Sequence, residues 1–208
     1  MPSLPWGVLI LLLLSIVIYL QGLQGALVAW HLSIEKALLI LLALIAANYF
    51  TISLEVAGAP VNLHVGSFAL LAASLVLWHL QGGGAKWLWL IAAWVLTIGL
   101  IALHIFTQYL WTGGPYVSYW LFPLLIATAA AILTRNMAGV LFLTIFSMVA
   151  GEMGVAIFQN IISGTWLTLG SKTIYDMAVL SAVAACLFVA AAQLLALSHW
   201  GLRQRKSF

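Results

Sequence analysis

The sequence predicts an all-α fold: a single domain, residues 1–208, built as a bundle of seven transmembrane helices. Of the 208 residues, 65% are hydrophobic and only 5% are charged, whereas soluble domains carry roughly 25% charged residues. A bilayer core needs about 20 apolar residues per helix, and apolar stretches of that length recur between Gly, Pro and Asn turn signals. We therefore expect a multi-pass protein of the cell membrane, with the lipid bilayer as its surroundings.

The apolar stretches define the predicted elements in chain order. The seven predicted spans are 4–21, 34–52, 61–80, 87–109, 117–134, 137–159 and 175–198. Residues 5–20 are predicted as a spanning helix rather than a signal peptide, because no basic residue precedes the apolar run. The alternative is a six-helix bundle in which the first or the fifth segment lies at the membrane interface.

The placement of Lys and Arg predicts the orientation. If the C-terminus is cytoplasmic, that side collects Lys36, Lys86, Arg135, Arg203, Arg205 and Lys206. The opposite side carries Lys172. This bias places the N-terminus outside. The basic residues are scattered at loop edges, so we expect no nucleic-acid partner.

One of the four acidic residues, Glu152, lies inside an apolar stretch. Residues 137–158 are otherwise uncharged and long enough to span a bilayer. A charged group at the bilayer centre costs roughly 2.5 to 3.5 kcal/mol on insertion scales, so a functional role is the default hypothesis. Gly151 and Gly154 flank Glu152 and would admit a neighbouring helix. The alternative is a buried structural hydrogen bond.

Most of the other unusual polar residues fall at the outer ends of the predicted spans. Trp94, His104 and Gln108 recur at three- and four-residue steps within a longer stripe, which places them on one face of the fourth span. Polar faces avoid lipid, so we expect an outward-facing polar pocket. For each member, the alternative is packing or a hydrogen bond to a neighbouring helix. The predicted ligand-binding residues are Glu152, His64, His104, Asp176, Gln108, Asn62, Gln159 and Trp94.

His64 and His104 raise a separate hypothesis. Two histidines at similar depth on adjacent helices are the minimum for axial ligation of a haem b. Apart from this alternative, we predict no cofactor and no metal site. The sequence contains no GxxxxGK[ST], HExxH or GxSxG motif, so we predict no enzymatic activity.

Two stretches resemble a known family: VNLHVG at 61–66, and GEM at 151–153 followed by GS at 170–171 and Asp176. They are similar to segments of the YphA-like membrane proteins of Gram-positive, spore-forming bacteria. The resemblance implies a seven-span layout over most of the chain. It implies no activity.

The segment PVNL at 60–63, ahead of an apolar helix, resembles a second family. It is similar to a segment of the substrate-binding subunits of energy-coupling-factor vitamin transporters. That resemblance implies a small-molecule-binding subunit, usually with six spans and an alanine-rich coupling motif on the first helix. The first span of this chain contains no alanine.

These observations predict a protein that binds or transports a small-molecule ligand in an outward-facing pocket. In a transporter, Glu152 would be the group whose protonation tracks loading. The alternative is a seven-helix sensor or assembly factor that acts through a membrane protein partner and moves no solute. A haem-binding redox protein is the third hypothesis.

Overall fold

The computed structural model describes residues 6–19, 33–56, 59–80, 85–110, 115–134, 136–164 and 166–205. Within those ranges, the side chains of residues 56, 59, 80, 85, 108–110, 115–119 and 194–205 are not described. The predictions made for both ends of the first span, for Arg135 and for Lys206 lie outside the described residues.

The described residues form seven helices, and each overlaps one predicted span. They are α1 (Trp6–Tyr19), α2 (Ile34–Ala47), α3 (Val65–Leu80), α4 (Ala85–Leu110), α5 (Pro115–Leu133), α6 (Met137–Ser163) and α7 (Lys172–Arg205). By length and composition, three segments are able to cross a membrane: Lys86–Thr107, Met137–Ser163 and Lys172–Gln193. The predominantly helical fold is confirmed, and these three segments are compatible with a membrane protein.

A small sheet replaces helix at two predicted span ends. Strands β1 (Thr51–Val56) and β2 (Ala59–His64) form an antiparallel hairpin. Strand β3 (Leu167–Leu169) pairs in parallel with β2. The prediction of helix to residue 52 and from residue 61 is therefore wrong. Both segments alternate polar and apolar residues, and this period of two favours strands.

Helix α6 occupies the centre of the bundle. Its most apolar window is 72% buried, against 17% for the corresponding window of α4. It contacts α3, α4, α5 and α7, and its side chains Phe142, Leu143, Met148 and Val149 are fully buried. An ionisable group on this helix is consequently enclosed by protein on most sides.

The outer helices expose large apolar side chains that water would not favour. Examples on α1, α2 and α4 are Leu13, Ile16, Leu39, Ile91 and Ile98. Exposed apolar surface of this extent marks a surface that binds protein or membrane. It fits the three segments that are able to cross a bilayer.

Candidate functional site

Two glycines on α6 bring α4 close to it. A Cβ atom added at Gly151 would lie 2.7 Å from Cδ2 of Leu100, and one added at Gly154 would lie 2.5 Å from Cδ1 of Ile101. The hydroxyl of Ser147 donates a hydrogen bond of 3.1 Å to a backbone carbonyl of α4. The sequence predicted this close approach, but the groups that fill the glycine positions are side chains rather than backbone.

This approach places His104 on α4 beside Glu152 on α6. The Nδ1 atom of His104 lies 3.3 Å from Oε1 of Glu152, and the two side chains are 17% and 10% exposed. These two atoms are themselves buried, and their contact lacks the geometry of a hydrogen bond. The ring of His104 also lies 5.5 Å from that of Phe122 on α5. The structure therefore contains a largely buried histidine–carboxylate pair inside two of the apolar segments.

Three other predicted site residues lie along the same two helices. Trp94 is ten residues before His104, about 15 Å along the helix axis. Its side chain is 51% exposed and packs edge-to-face on Phe146. Trp94 thus lies on the outer surface of α4 and does not join the pair. Gln159 is half-buried on α6, two turns beyond Glu152, and Gln108 follows His104 on α4 with its side chain not described.

His64 lies elsewhere, at the junction of β2 and α3. Its Nδ1 accepts a 3.3 Å hydrogen bond from the backbone N–H of Ser67, the third residue of α3, and is 3.1 Å from the hydroxyl of the same residue. Its Nε2 lies 3.0 Å from the carbonyl oxygen of Asn48, which follows α2. His64 therefore caps the start of α3 and holds the end of α2. These partners assign the neutral tautomer with the proton on Nε2.

Electrostatics agree with a neutral His64. Burial lowers the pKa of His64 below its ordinary value of 6.5; the hydrogen bond to Asn48 opposes this shift, and the nearby positive charge of Lys172 adds to it. Both ring nitrogens have protein partners, so His64 offers no nitrogen to a haem iron. The residues present do not fit the haem hypothesis. Among the described residues, no group of three His, Cys, Asp or Glu side chains is arranged to hold a metal ion.

Asp176 has a partner at the start of α1. Its Oδ1 accepts a 2.8 Å hydrogen bond from the backbone N–H of Gly7. The first N–H groups of a helix lack partners within the helix, and a carboxylate there also favours the helix dipole. A Cβ atom at Gly7 would lie 2.6 Å from this oxygen. Asp176 thus acts as a cap supplied by another helix.

Residues close to Asp176 also form hydrogen bonds with other helices. The hydroxyl of Tyr175, a fully buried side chain, donates to the carbonyl oxygen of Leu44 on α2 at 2.9 Å. The hydroxyl of Ser67 donates to the carbonyl oxygen of Ser171 at 3.3 Å. We call Ser171–Asp176 the hub; it comprises the residue before α7 and the first residues of α7, and it bonds to α1, α2 and α3. Tyr175 was not among the predicted site residues; the feature of the sequence that could have identified it is its position, as an aromatic residue with a hydroxyl group, next to Asp176.

Asn62 belongs to the sheet beside the hub. It lies opposite Ser53 on β1 and Thr168 on β3. Its Oδ1 accepts a 2.7 Å hydrogen bond from the hydroxyl of Ser53. Five of the predicted site residues therefore form two groups: His104 and Glu152 are paired, while His64, Asn62 and Asp176 bond within the sheet and around the hub.

No protein-family model, no curated protein and no solved structure matches this chain. The resemblances noted above to YphA-like proteins and to substrate-binding subunits of vitamin transporters stay predictions.

Proposed function

We propose that this chain is a polytopic protein of the cell membrane whose seven helices cross the bilayer, with the N-terminus outside. We further propose that it binds a small solute at the His104–Glu152 pair and carries it across the membrane. The observation that supports this best is the 3.3 Å contact of a histidine with a carboxylate between two long apolar helices.

The unsatisfied oxygen of Glu152 favours binding over a purely structural role. Buried polar groups are nearly always hydrogen-bonded, because an unpaired one costs free energy. Oε1 of Glu152 is buried and accepts no hydrogen bond in the described part of the chain. A solute that donates a hydrogen bond would satisfy this atom. By contrast, Asp176 and His64 have the bonds expected of structural residues.

The polar side of the pair supports an outward entrance. Gln159 on α6 and Gln108 on α4 both follow the pair toward the ends of their helices, and α6 leads into β3 of the sheet. A proton held by the pair would then track loading from the outer side.

A sensor or assembly factor is the second candidate, supported by β1. This edge strand exposes Ile52 and Leu54 next to the exposed ring of Phe50. Exposed strand edges pair readily with other chains. A membrane protein partner bound there would pass its signal through the hub to three helices without solute movement.

A thermal-shift screen of the purified protein in mild detergent tests the proposed function. A ligand at 100 times its Kd stabilises the folded state by about 2.7 kcal/mol. We expect small polar solutes to raise the melting temperature of the wild type and not that of Glu152→Gln. Glu35→Gln removes an exposed carboxylate of α2 and should respond like the wild type. Equal stabilisation of all three proteins, or of none by any solute, would contradict the proposal and favour the sensor.

A further inference from the structure

We infer that the solute at the His104–Glu152 pair is an organic ammonium ion, taken up in exchange for a proton held by the empty pair. This rests on the function proposed above and names the chemical class of its solute.

The charge balance around Glu152 limits which solutes can bind there. Glu152 is the sole titratable residue of α6, and the described side chains of α5 and β3 include none. An ionised carboxylate inside a low-dielectric region needs one positive charge beside it; otherwise the carboxyl group takes up a proton and becomes neutral. The positive charge is either a proton on His104 or a bound cation.

Several other titratable groups bond to the backbone or lie far from the pair. Asp176 and Tyr175 bond the backbone of α1 and α2, and His64 bonds the backbone at both nitrogens. Lys86 lies near the opposite end of α4, 18 residues or about 27 Å from His104. The titratable side chains described on β2, α3, α4 and α7, besides the pair, are His64, His79, Lys86, Lys172, Tyr175, Asp176 and Cys186.

The chemistry around Glu152 suits an ammonium group better than a metal ion. Calcium takes 6–8 oxygen ligands, and magnesium demands a near-ideal octahedron of them. The described residues provide no cluster of three ligating side chains. A carboxylate and the face of an aromatic ring each attract an ammonium ion, and Phe122 lies 5.5 Å from the ring of His104, the partner of Glu152. Leu100 and Ile101, packed on the glycines that flank Glu152, supply apolar surface for an alkyl group.

The exchange balances in charge and in protons. In the empty state, an imidazolium of His104 neutralises the carboxylate of Glu152. When R–NH₃⁺ arrives, His104 releases its proton to water and the ammonium N–H groups donate to Glu152. The pair is neutral before and after, and one proton leaves for each ammonium ion bound. Since Nδ1 and Oε1 are 3.3 Å apart, the imidazole must turn aside to admit the ammonium nitrogen.

Proton release measures this exchange directly. The full-length protein, in mild detergent and weak buffer near neutral pH, is titrated with methylammonium chloride, and a pH-indicator dye reports the protons. Sodium chloride is the matched control salt. We expect one proton per methylammonium bound in the wild type and in Glu35→Gln. Glu152→Gln should lose affinity by about thirtyfold or more, because one partner of a buried charge pair is gone.

His104→Gln separates the two halves of the exchange. It should still bind methylammonium but release no proton. Gel-filtration elution shows whether each variant is folded. If His104→Gln does not fold, the comparison of Glu152→Gln with Glu35→Gln still tests the inference. Binding without proton release in the wild type, no methylammonium binding, or equal release by Glu152→Gln would overturn the inference. If the thermal-shift screen still identifies a neutral or anionic solute that needs Glu152, the proposed function survives. If it identifies none, both fail.

Discussion

The imidazole of His64 lies between the last turn of α2 and the first turn of α3. It joins them through Asn48 and Ser67, and both bonds need the neutral ring with its proton on Nε2. A second proton, on Nδ1, would face the N–H of Ser67 and break the cap. His64 was predicted as a polar residue near the outer end of the third span, but its capping role was not predicted, because a capping histidine has no sequence pattern of its own.

His64 makes stability depend on pH. The folded state lowers the pKa of His64 below 6.5, so the unfolded chain takes up this proton first as the pH falls. Stability from this group is fully present above the ordinary pKa and is lost as the pH falls from there toward the folded value. We expect the apparent melting temperature to decrease as the pH falls below the ordinary pKa of histidine, about 6.5.

The matched variants isolate this group. His64→Asn keeps an oxygen able to cap α3 but does not titrate, so its acid-side slope should be smaller than that of the wild type. His79→Asn removes an exposed histidine of α3 and should leave the slope unchanged. An unchanged slope in His64→Asn would show that other groups cause the acid instability.

A second prediction concerns the cap that Asp176 provides for α1. Asp176→Ala should destabilise the protein by about 0.5 to 2 kcal/mol, the usual effect of losing a helix cap. Asp176→Asn keeps an acceptor oxygen and should lose less. Glu55→Ala, which removes an exposed carboxylate of β1, is the control. If Asp176→Ala were as stable as this control in thermal melts, the cap on α1 would contribute nothing.

Helices α4 and α6 face each other with His104 and Glu152 at their contact. The spacing of His104 and Glu152 on their helices predicted that both point inward, and the pair confirms this for these two residues. Trp94 shares the predicted stripe but lies half-exposed, since ten residues of helix turn it away from a strict face. Helical periodicity therefore predicted the orientation of side chains correctly within a few turns of the glycine contact and less well farther along the helix.

The glycine contact gives a test of the element geometry. Gly151→Ala should destabilise the protein by about 1 to 3 kcal/mol, because Cδ2, Cγ and Cβ of Leu100 all lie within 3.4 Å of the new methyl group. Displacing α4 should also separate His104 from Glu152 and weaken solute binding. Gly99→Ala is the matched control, since a Cβ atom there meets nothing within 4 Å. Thermal melts in which both variants behave alike would contradict this packing.

The sheet lies where the sequence pattern did not distinguish strands from the ends of helices. Residues 48–64 are apolar enough to extend two spans, and a hydropathy window does not distinguish a strand from a helix end. The deciding interactions are long-range: β2 pairs with β3, more than 100 residues later. The hub likewise depends on contacts between Asp176 and Gly7 that no local pattern encodes.

At the scale of the whole molecule, the contacts bring the predicted outer ends together. The starts of α1, α3 and α7 and the end of α2 meet at the hub. The opposite end is marked by Lys86, whose ammonium group lies near the rings of Trp78 and Trp87. The distribution of Lys and Arg predicts that the hub faces the outside.

Cysteine labelling in intact cells tests this orientation. In a Cys186→Ala background, Glu55→Cys on β1 should react with a membrane-impermeant maleimide. Glu35→Cys, at the other end of α2, should react only after permeabilisation. Both positions are exposed, so access rather than burial decides the result. The reverse pattern would contradict the assigned orientation.

The central claim is that the buried pair is a binding centre, and a native mass spectrum tests it most directly. The wild type, Glu152→Gln and Glu35→Gln are released from mild detergent under the same conditions. We predict a bound non-lipid mass on the wild type and on Glu35→Gln that is lost from Glu152→Gln. A spectrum of bare protein or of protein with phospholipid alone in all three, or a bound mass that persists in Glu152→Gln, would contradict the claim.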